Sequence, residues 1–401
     1  MLQTDYIHVP YGRTVHGEEE IEAVVHVLRT STQMGKHVRE LEERIAALYN
    51  KKHGLMVNSG SSALYLAADL LDYEKGAEII TPALTFSTTV APQLKKGWVP
   101  AFVDVEEGTY NIDANKVEEM ITPKTKAMII PNLIGNLPDW KVLREIADKH
   151  NLFVLEDSAD TLGAEIGGAS SGRFTDMSTT SFYGSHIINC AGNGGMLCVN
   201  SDAHYDRGRL LRSWGRSSSL FVESEKVENR FNVELEGIPY DAKFVFEEPG
   251  YNIEGSEMGA AFGLVQLSKL GKNIDARTAN YTELRAFFAQ YEEYFILPKQ
   301  LPDSRTGWLA LAVTIRDSAP FIRRDLQIFL EKRNIQTRTV FTGNILRQPG
   351  FKHQPHKSAA SGYPESDKVM RGGMLLACHH GLNAEQIAHI KESVTEFIKG
   401  L

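Results

Sequence analysis

The chain has 401 residues, a formal net charge of −8 and three cysteines. This length allows one large α/β domain with a smaller second domain, and the acidic balance argues against a nucleic-acid partner. Cys190, Cys198 and Cys378 form no CxxC pair, so we expect neither a disulfide framework nor a zinc ribbon, and a cytoplasmic location. The first twenty residues show no signal-peptide pattern, and no apolar stretch reaches spanning length, so we expect no membrane partner.

Apolar runs of strand length alternate with helical patterns over the first 200 residues. Two amphipathic helices are predicted in "GEEEIEAVVHVLRT" and "HVRELEERIAALYN". The predicted strands that follow are "GLMV", "AEIITP", "VPAFVDV", "AMIIPN", "LFVLEDS", "TTSFYGSH" and "GGMLCVN". Apolar strands with helices between them predict a mostly parallel sheet that is covered on both faces.

The pattern changes between residues 250 and 280. "WLALAVTIR", "FIRRDLQIFLEKR", "IQTRTVF", "MLLACH" and "AEQIAHIKESVTEFI" predict a smaller unit of strands and helices. We therefore predict a large cofactor-binding α/β domain of residues 1–260 and a small C-terminal α+β domain of residues 261–401.

Small and polar residues follow several strands, at the edge where α/β sheets bind ligands. Gly60 and Ser61 begin a helix, where backbone amides suit a phosphate, although the serines there could serve only as a helix cap. Asp157 ends a strand and could pair with a pyridinium nitrogen or cap the next turn. Phe86 could stack on a flat ring or belong to the core.

The stretch "SFYGSHIINCAGNGG" contains Ser181, a further candidate for a phosphate site, and His186 five residues later. A lone histidine is more often structural than catalytic. A phosphate turn, an aromatic residue, a strand-end aspartate and a polar Gly-rich turn nevertheless follow one another in the order expected of one cofactor site.

These segments resemble the fold type I pyridoxal-phosphate enzymes and, more narrowly, the DegT/DnrJ/EryC1 family of sugar aminotransferases. The similar stretches are "VNSGSSALYLA", "TPALTFSTTVAP", "VLEDSADTLGA" and "GYNIEGSEMGAAFGLVQL". The resemblance implies the fold type I architecture, pyridoxal or pyridoxamine 5′-phosphate as the cofactor, and a homodimer with shared active sites.

The resemblance also implies a role for individual residues. Gly60, Ser61 and Ser181 would bind the cofactor phosphate, and Phe86 would stack on the pyridine ring. Asp157 would pair with the ring nitrogen. Asp160 would lie against the ring, where the aminotransferases usually have glutamine, and Asn252 would reach the cofactor phosphate of the other protomer.

His186 occupies the position of the lysine to which the aminotransferases bind their cofactor. No lysine occurs between Lys149 and Lys226. This replacement resembles the sugar 3-dehydratase branch of the family, as do "PNLIGNLPDW", "LLRSWGR" and "TVFTGNILRQPGF". No cysteine follows "SWGR" closely, and three cysteines cannot supply four ligands to a [2Fe–2S] cluster. We therefore favour the iron-independent kind, exemplified by enzymes that act on GDP-4-keto-6-deoxymannose, with no reductase partner; the sequence does not fix the nucleotide or the hexose.

The function implied by this resemblance is C3 deoxygenation of a nucleotide-linked 4-keto-6-deoxyhexose. His186 would be the base, and L-glutamate would return the amino group to the cofactor. Arg338 could hold a carboxylate or diphosphate, or be a surface arginine. Two alternatives remain: an aminotransferase that lacks the lysine, and a non-catalytic homologue that binds the cofactor. We expect no metal site, because the adjacent His379 and His380 side chains would point to opposite faces of a strand.

Overall fold

Helices and strands alternate along the first half of the chain, as the apolar pattern predicts. The computed structural model describes residues 6–221 and 225–401. Within these ranges the helices are α1 (Glu18–Thr30), α2 (Lys36–Leu48), α3 (Gly60–Leu71), α4 (Ser87–Lys95), α5 (Trp140–His150), α6 (Asp202–Arg212), α7 (Val227–Arg230), α8 (Glu257–Ser268), α9 (Leu270–Phe288), α10 (Arg323–Lys332), α11 (Pro364–Gly372) and α12 (Ala384–Lys399).

The strands within the same ranges are β1 (His53–Val57), β2 (Glu78–Pro82), β3 (Val99–Val103), β4 (Thr125–Pro131), β5 (Phe153–Ser158), β6 (Glu165–Ile166), β7 (Ala169–Ser170), β8 (Met177–Ser181), β9 (Gly195–Val199), β10 (Val233–Leu235), β11 (Ile238–Tyr240), β12 (Phe295–Ile296), β13 (Ser304–Arg305), β14 (Ala310–Ile315), β15 (Arg338–Thr339) and β16 (Gly373–Ala377).

The largest sheet has seven strands in the order β1-β9-β8-β5-β4-β2-β3. The pairs from β8 to β3 are parallel, whereas β9 runs antiparallel to both of its neighbours. The predicted mostly parallel sheet is therefore confirmed. Because β9 is reversed, β1 points the same way as β8, and six strands end at one edge. Ligands bind at this edge in open α/β sheets.

Both faces of this sheet are buried, because successive side chains of a strand point to opposite faces. Leu55 and Val57 of β1 pack in the core that α3 covers. Met56, which lies between them, packs in the core that α2 and α8 cover. In β4, Met128 packs with Trp140 of α5. The sheet is thus held between layers of helices, and its strand ends open into the site described below.

A second sheet of four antiparallel strands, β12-β14-β16-β15, forms from residues 295–377. Helices α9, α10 and α12 cover it. The strand predicted over "IQTRTVF" is reduced to Arg338–Thr339, because the backbone turns at Phe341, whose φ of 41° is left-handed.

Contacts cross the predicted division at residue 260. Val9 near the start of the chain pairs with Ile335, and β13 pairs with β6. The division therefore stays a prediction. None of the helices in residues 6–221 and 225–401 has the length and apolar content needed to cross a bilayer.

Candidate active site

A cavity of about 370 Å³ lies at the carboxyl ends of the central strands. Seven of the predicted site residues line it together: Gly60, Ser61, Phe86, Asp157, Asp160, Ser181 and His186. They come from four strand ends that are distant in sequence. The cavity does not include Asn252 or Arg338.

One end of the cavity is the start of α3, which lies beside the end of β8. The Ser59 side chain caps the helix by accepting a hydrogen bond from the Ser62 amide at 3.1 Å. The first amides of a helix have no partner within it, so those of Gly60 and Ser61 remain to bind an anion. A Cβ on Gly60 would lie 2.7 Å from Cβ of Ser181. Glycine therefore keeps this space open.

Asp157 lies buried at the end of β5. The Thr89 hydroxyl donates to its Oδ2 at 2.7 Å, and the Ala159 amide donates to its Oδ1 at 3.2 Å. Burial nevertheless raises the pKa of this carboxyl, and these two hydrogen bonds only oppose the shift. No cation of the described residues forms an ion pair with Asp157. Its surroundings therefore favour a cationic ligand.

Asp160 follows on the same side of the cavity. Burial, and to a smaller extent the nearby Asp157, raise the pKa of Asp160 to about 7. Its Oδ2 accepts a hydrogen bond from the Ile134 amide at 2.9 Å. Ile134 has φ 63° and ψ 12°, a left-handed conformation that β-branched residues rarely adopt. This bond, with that from the Leu309 amide to the Ile134 carbonyl at 2.9 Å, holds the strained turn against the cavity.

His186 stands in the loop that joins β8 to β9. Its Nδ1 lies 3.2 Å from the carbonyl oxygen of Ser181. Because a carbonyl only accepts, Nδ1 carries the proton and Nε2 carries the lone pair. The Tyr183 ring meets the imidazole edge-on, with 5.8 Å between centroids. Burial lowers the pKa of His186 to about 4, so the imidazole is neutral near pH 7.

Phe86 lines the cavity with its ring half-exposed at 49%, and the ring packs edge-on against Phe341. An aromatic face open to a cavity can stack on a planar ligand. This exposure argues against the alternative interpretation of Phe86 as a core residue.

Arg338 and Asn252 lie outside the cavity. Arg338 is exposed, and its guanidinium lies 5.3 Å from the centroid of the Tyr11 ring, which does line the cavity. Asn252 is exposed too, and its backbone pairs with Ser213. Neither residue contacts the cavity of its own chain directly.

Several residues that line the cavity are not among the site residues predicted from the sequence. Thr89 is three positions after Phe86, at the start of α4, and its position after a strand was a usable signal. Tyr11 and Leu309 come from remote segments and carry no motif, and Phe341 lies in "TVFTGNILRQPGF", a stretch that the sequence does not place at the site. Only tertiary packing brings them to the cavity.

Known proteins similar to this chain include a dTDP-4-dehydro-2,6-dideoxy-D-glucose 3-dehydratase from Saccharopolyspora spinosa, 34% identical, with 97% of this chain and 86% of that protein covered. A GDP-4-keto-6-deoxy-D-mannose 3-dehydratase from Yersinia pseudotuberculosis is 29% identical, with 96% and 97% covered.

Among solved structures, a GDP-4-keto-6-deoxymannose-3-dehydratase with a trapped pyridoxal phosphate–glutamate geminal diamine superposes with a TM-score of 0.85. It is 25% identical and is matched over 96% of this chain and 100% of its own. The family match covers residues 14–395. The chain therefore belongs to the DegT/DnrJ/EryC1/StrS aminotransferase family, with its fold type I architecture.

Proposed function

We propose that this chain is a pyridoxamine-phosphate-dependent 3-dehydratase that removes the C3 hydroxyl of a nucleotide-linked 4-keto-6-deoxyhexose without an iron–sulfur cluster. One observation carries the proposal. His186 lines the cavity, and none of the cavity-lining residues in the described part of the chain is a lysine. A cofactor in this cavity has no amine of the protein to which it could be bound covalently.

The residues of the cavity fit pyridoxamine phosphate. The amides at Gly60 and Ser61, with the Ser181 hydroxyl, would hold its phosphate. The buried Asp157, which no cation of the described residues neutralises, would pair with its protonated ring nitrogen. Phe86 would stack on the ring.

The bound cofactor supplies a primary amine that reacts with a sugar ketone and a ring that withdraws electrons. His186 moves the proton for this chemistry. Its Nδ1–H is committed to the Ser181 carbonyl, so Nε2 is the atom that accepts. Once protonated, Nε2 can donate to a departing hydroxyl, so one imidazole serves as base and then as acid.

The overall reaction balances. The sugar exchanges its C3 hydroxyl for hydrogen, and pyridoxamine phosphate becomes pyridoxal phosphate and ammonia. L-glutamate then returns an amino group to the cofactor.

We further propose a homodimer in the cytoplasm. Exposed aromatic side chains lie on the segment of Asn252 and on the segment paired with it: Tyr251 precedes Asn252, Trp214 follows its partner Ser213, and Phe246 pairs with Arg216. Clustered exposed aromatics indicate an interaction surface, and a second copy there would bring Asn252 to its partner's cofactor phosphate. The three cysteines are all free and buried, which fits a reducing compartment.

A product assay tests the proposed function. The full chain is incubated with pyridoxal phosphate, L-glutamate and a panel of GDP-, CDP- and dTDP-linked 4-keto-6-deoxyhexoses. A 3-deoxy sugar with one equivalent of ammonia supports the proposal. An amino sugar would instead establish the aminotransferase alternative, and cofactor binding with no product from any sugar would favour the non-catalytic one.

Two variants of His186 test its role in the reaction. His186→Lys should bind pyridoxal phosphate covalently as an imine that absorbs in the visible, and should lose dehydration. Borohydride should abolish that absorbance by reducing the imine and leave the cofactor permanently attached. His186→Asn should lose dehydration without that absorbance, since it has neither amine nor base. Full dehydration by either variant would contradict the role of His186.

A further inference from the structure

Two side chains of α9 hold the backbone on either side of His186. Nδ2 of Asn273 donates to the carbonyl of Ile187 at 3.1 Å. Nη2 of Arg277 donates to the carbonyl of Ser185 at 3.1 Å. Residues four apart share one face of a helix, so one rigid element reaches both carbonyls at once.

The rest of the Arg277 guanidinium is also committed. Its Nε donates to Nδ1 of His380 at 3.1 Å, and its Nη1 donates to the carbonyls of Trp308 at 3.1 Å and Leu309 at 3.4 Å. These contacts join α9, the loop of His186 and the entry to β14. Leu309 and Ser185 are themselves part of the cavity wall.

Arg277 is a buried cation without a carboxylate partner. Its side chain is fully buried, and no ion pair within residues 6–221 and 225–401 includes it. Burial lowers the pKa of Arg277 to about 10, so the group stays charged near pH 7. Burying an unneutralised charge is costly, and an uncharged donor could hold one carbonyl as Asn273 does. The position of this buried guanidinium beside the loop of His186 therefore indicates a function.

The charged and titratable groups around His186 indicate that function. Tyr183 lies at the edge of the imidazole, and Asp160 lines a small cavity together with His186. Burial is the main cause of the low pKa of His186, and the positive charge of Arg277 lowers it further. Removing Arg277 would remove this positive charge, while burial would continue to oppose protonation of the imidazole.

We propose that Asn273 and Arg277, here called the α9 clamp, are positioning residues for His186. The pair fixes the backbone carbonyls on either side of this residue and so holds its imidazole at the cavity. This inference rests on the proposed role of His186 as the base.

Three variants separate geometry from charge: Asn273→Leu, Arg277→Lys and Arg277→Met. Each should lower kcat by about 10-fold or more, since small displacements of a catalytic group are costly. KM for the sugar nucleotide should change less than about 3-fold. Arg285→Met is the control, because Arg285 lies on the same helix and donates from Nε to the Pro298 carbonyl at 3.0 Å, away from the loop.

The imidazole itself gives a readout that needs no activity. The full chain is labelled with ¹³Cε1-histidine, the His186 signal is assigned with His186→Asn, and its titration is followed by NMR. Arg277→Met should raise the pKa of His186, while burial, the larger cause, keeps it below the ordinary histidine value. Asn273→Leu and Arg277→Lys should leave it low, because they keep a cation. The acid limb of the kcat–pH profile should move to higher pH in Arg277→Met alone.

The proposed role of the α9 clamp is contradicted if folded Arg277→Met has the same pKa of His186 and the same kcat as the parent chain. It is equally wrong if Arg285→Met shows the same losses as the clamp variants. If Arg277→Met does not fold, Arg277→Lys and Asn273→Leu decide, and parental kcat in both would overturn the proposal. Failure of the parent chain to form a deoxy sugar would refute the proposed function, whereas the NMR titration would still decide whether Arg277 controls the imidazole.

Discussion

The hydroxyl of Thr89 donates to Oδ2 of Asp157 at 2.7 Å, although the two residues are 68 positions apart. The contact forms because β2 and β5 end at the same edge of the sheet, on either side of β4. Each Asp157 oxygen accepts one hydrogen bond from the protein and retains a lone pair for another donor. Thr89 and Ala159 thus orient the carboxyl without saturating it.

Replacing Asp157 by asparagine should weaken cofactor binding. A hydrogen bond to a charged group contributes about 1.5–3 kcal/mol, so the Kd for pyridoxamine phosphate should rise about 10- to 100-fold. Thr89→Val removes only an orienting bond and should raise the Kd by less than about 10-fold. Titration of the full chain, followed by the absorbance of the ring, measures both. Equal affinities of Asp157→Asn and the parent chain would remove Asp157 from the cofactor site.

The raised pKa of Asp160 predicts a pH dependence of stability. The folded pKa is about 7, above the ordinary carboxyl value, so between pH 4 and 7 the folded chain binds more protons than the unfolded one. Stability therefore falls as pH rises through this range. Asp160→Asn keeps an oxygen that can accept from the Ile134 amide but has no charge to bury. It should raise Tm by about 2 °C or more at pH 8 and change it little at pH 4.5.

Thermal unfolding of the cofactor-free chain at the two pH values measures this difference. Asp317→Asn is the matched control, because Asp317 is exposed and its contact with Arg371 is exposed too. A gain for Asp160→Asn that is the same at both pH values would show that the carboxyl does not titrate near pH 7.

Much of the site could be predicted from the sequence, because its main residues directly follow strands. Once parallel strands are expected, Gly60, Asp157 and Ser181 must meet at one edge, whatever separates them in the chain. The period of the apolar residues also predicts a helix in "GEEEIEAVVHVLRT", the stretch in which α1, Glu18–Thr30, is observed.

Other features of the fold and of the site have no local pattern in the sequence that predicts them. The reversal of β9 depends on how residues 182–194 return the chain, and Tyr11 reaches the cavity from the far end of the sequence. The contacts of Arg277 are of the same kind. Its position in α9 looks like any helical arginine, and only packing shows that it is buried beside the loop of His186.

The close approach of Gly60 to Ser181 predicts the effect of adding one methyl group. Gly60→Ala places a Cβ 2.7 Å from Cβ of Ser181, so one of the two must move and the anion space narrows. We expect the Kd for pyridoxamine phosphate to rise at least about 10-fold with the fold retained. Gly271→Ala is the control, since nothing lies within 4 Å of its added Cβ, and it should bind the cofactor as the parent chain does. Equal affinities of the two variants would argue against a phosphate at α3.

The proposed role of Asn252 in the partner's active site predicts that a hybrid dimer of two inactive variants regains activity. If Asn252 serves the partner's site, a hybrid dimer of His186→Asn and Asn252→Asp contains one site in which both residues are intact. Such a hybrid, co-expressed with two tags and purified through both, should recover about half of the parental activity.

A second hybrid makes this test decisive. His186→Asn paired with Asp157→Asn damages both sites, because these two residues line one cavity of the same chain. At a cofactor concentration well below the raised Kd of the Asp157→Asn site, this hybrid should stay inactive. If Asn252 acted within its own chain, the first hybrid would be as inactive as the second. Recovery in the first hybrid alone therefore requires a dimer in which Asn252 crosses to the other active site.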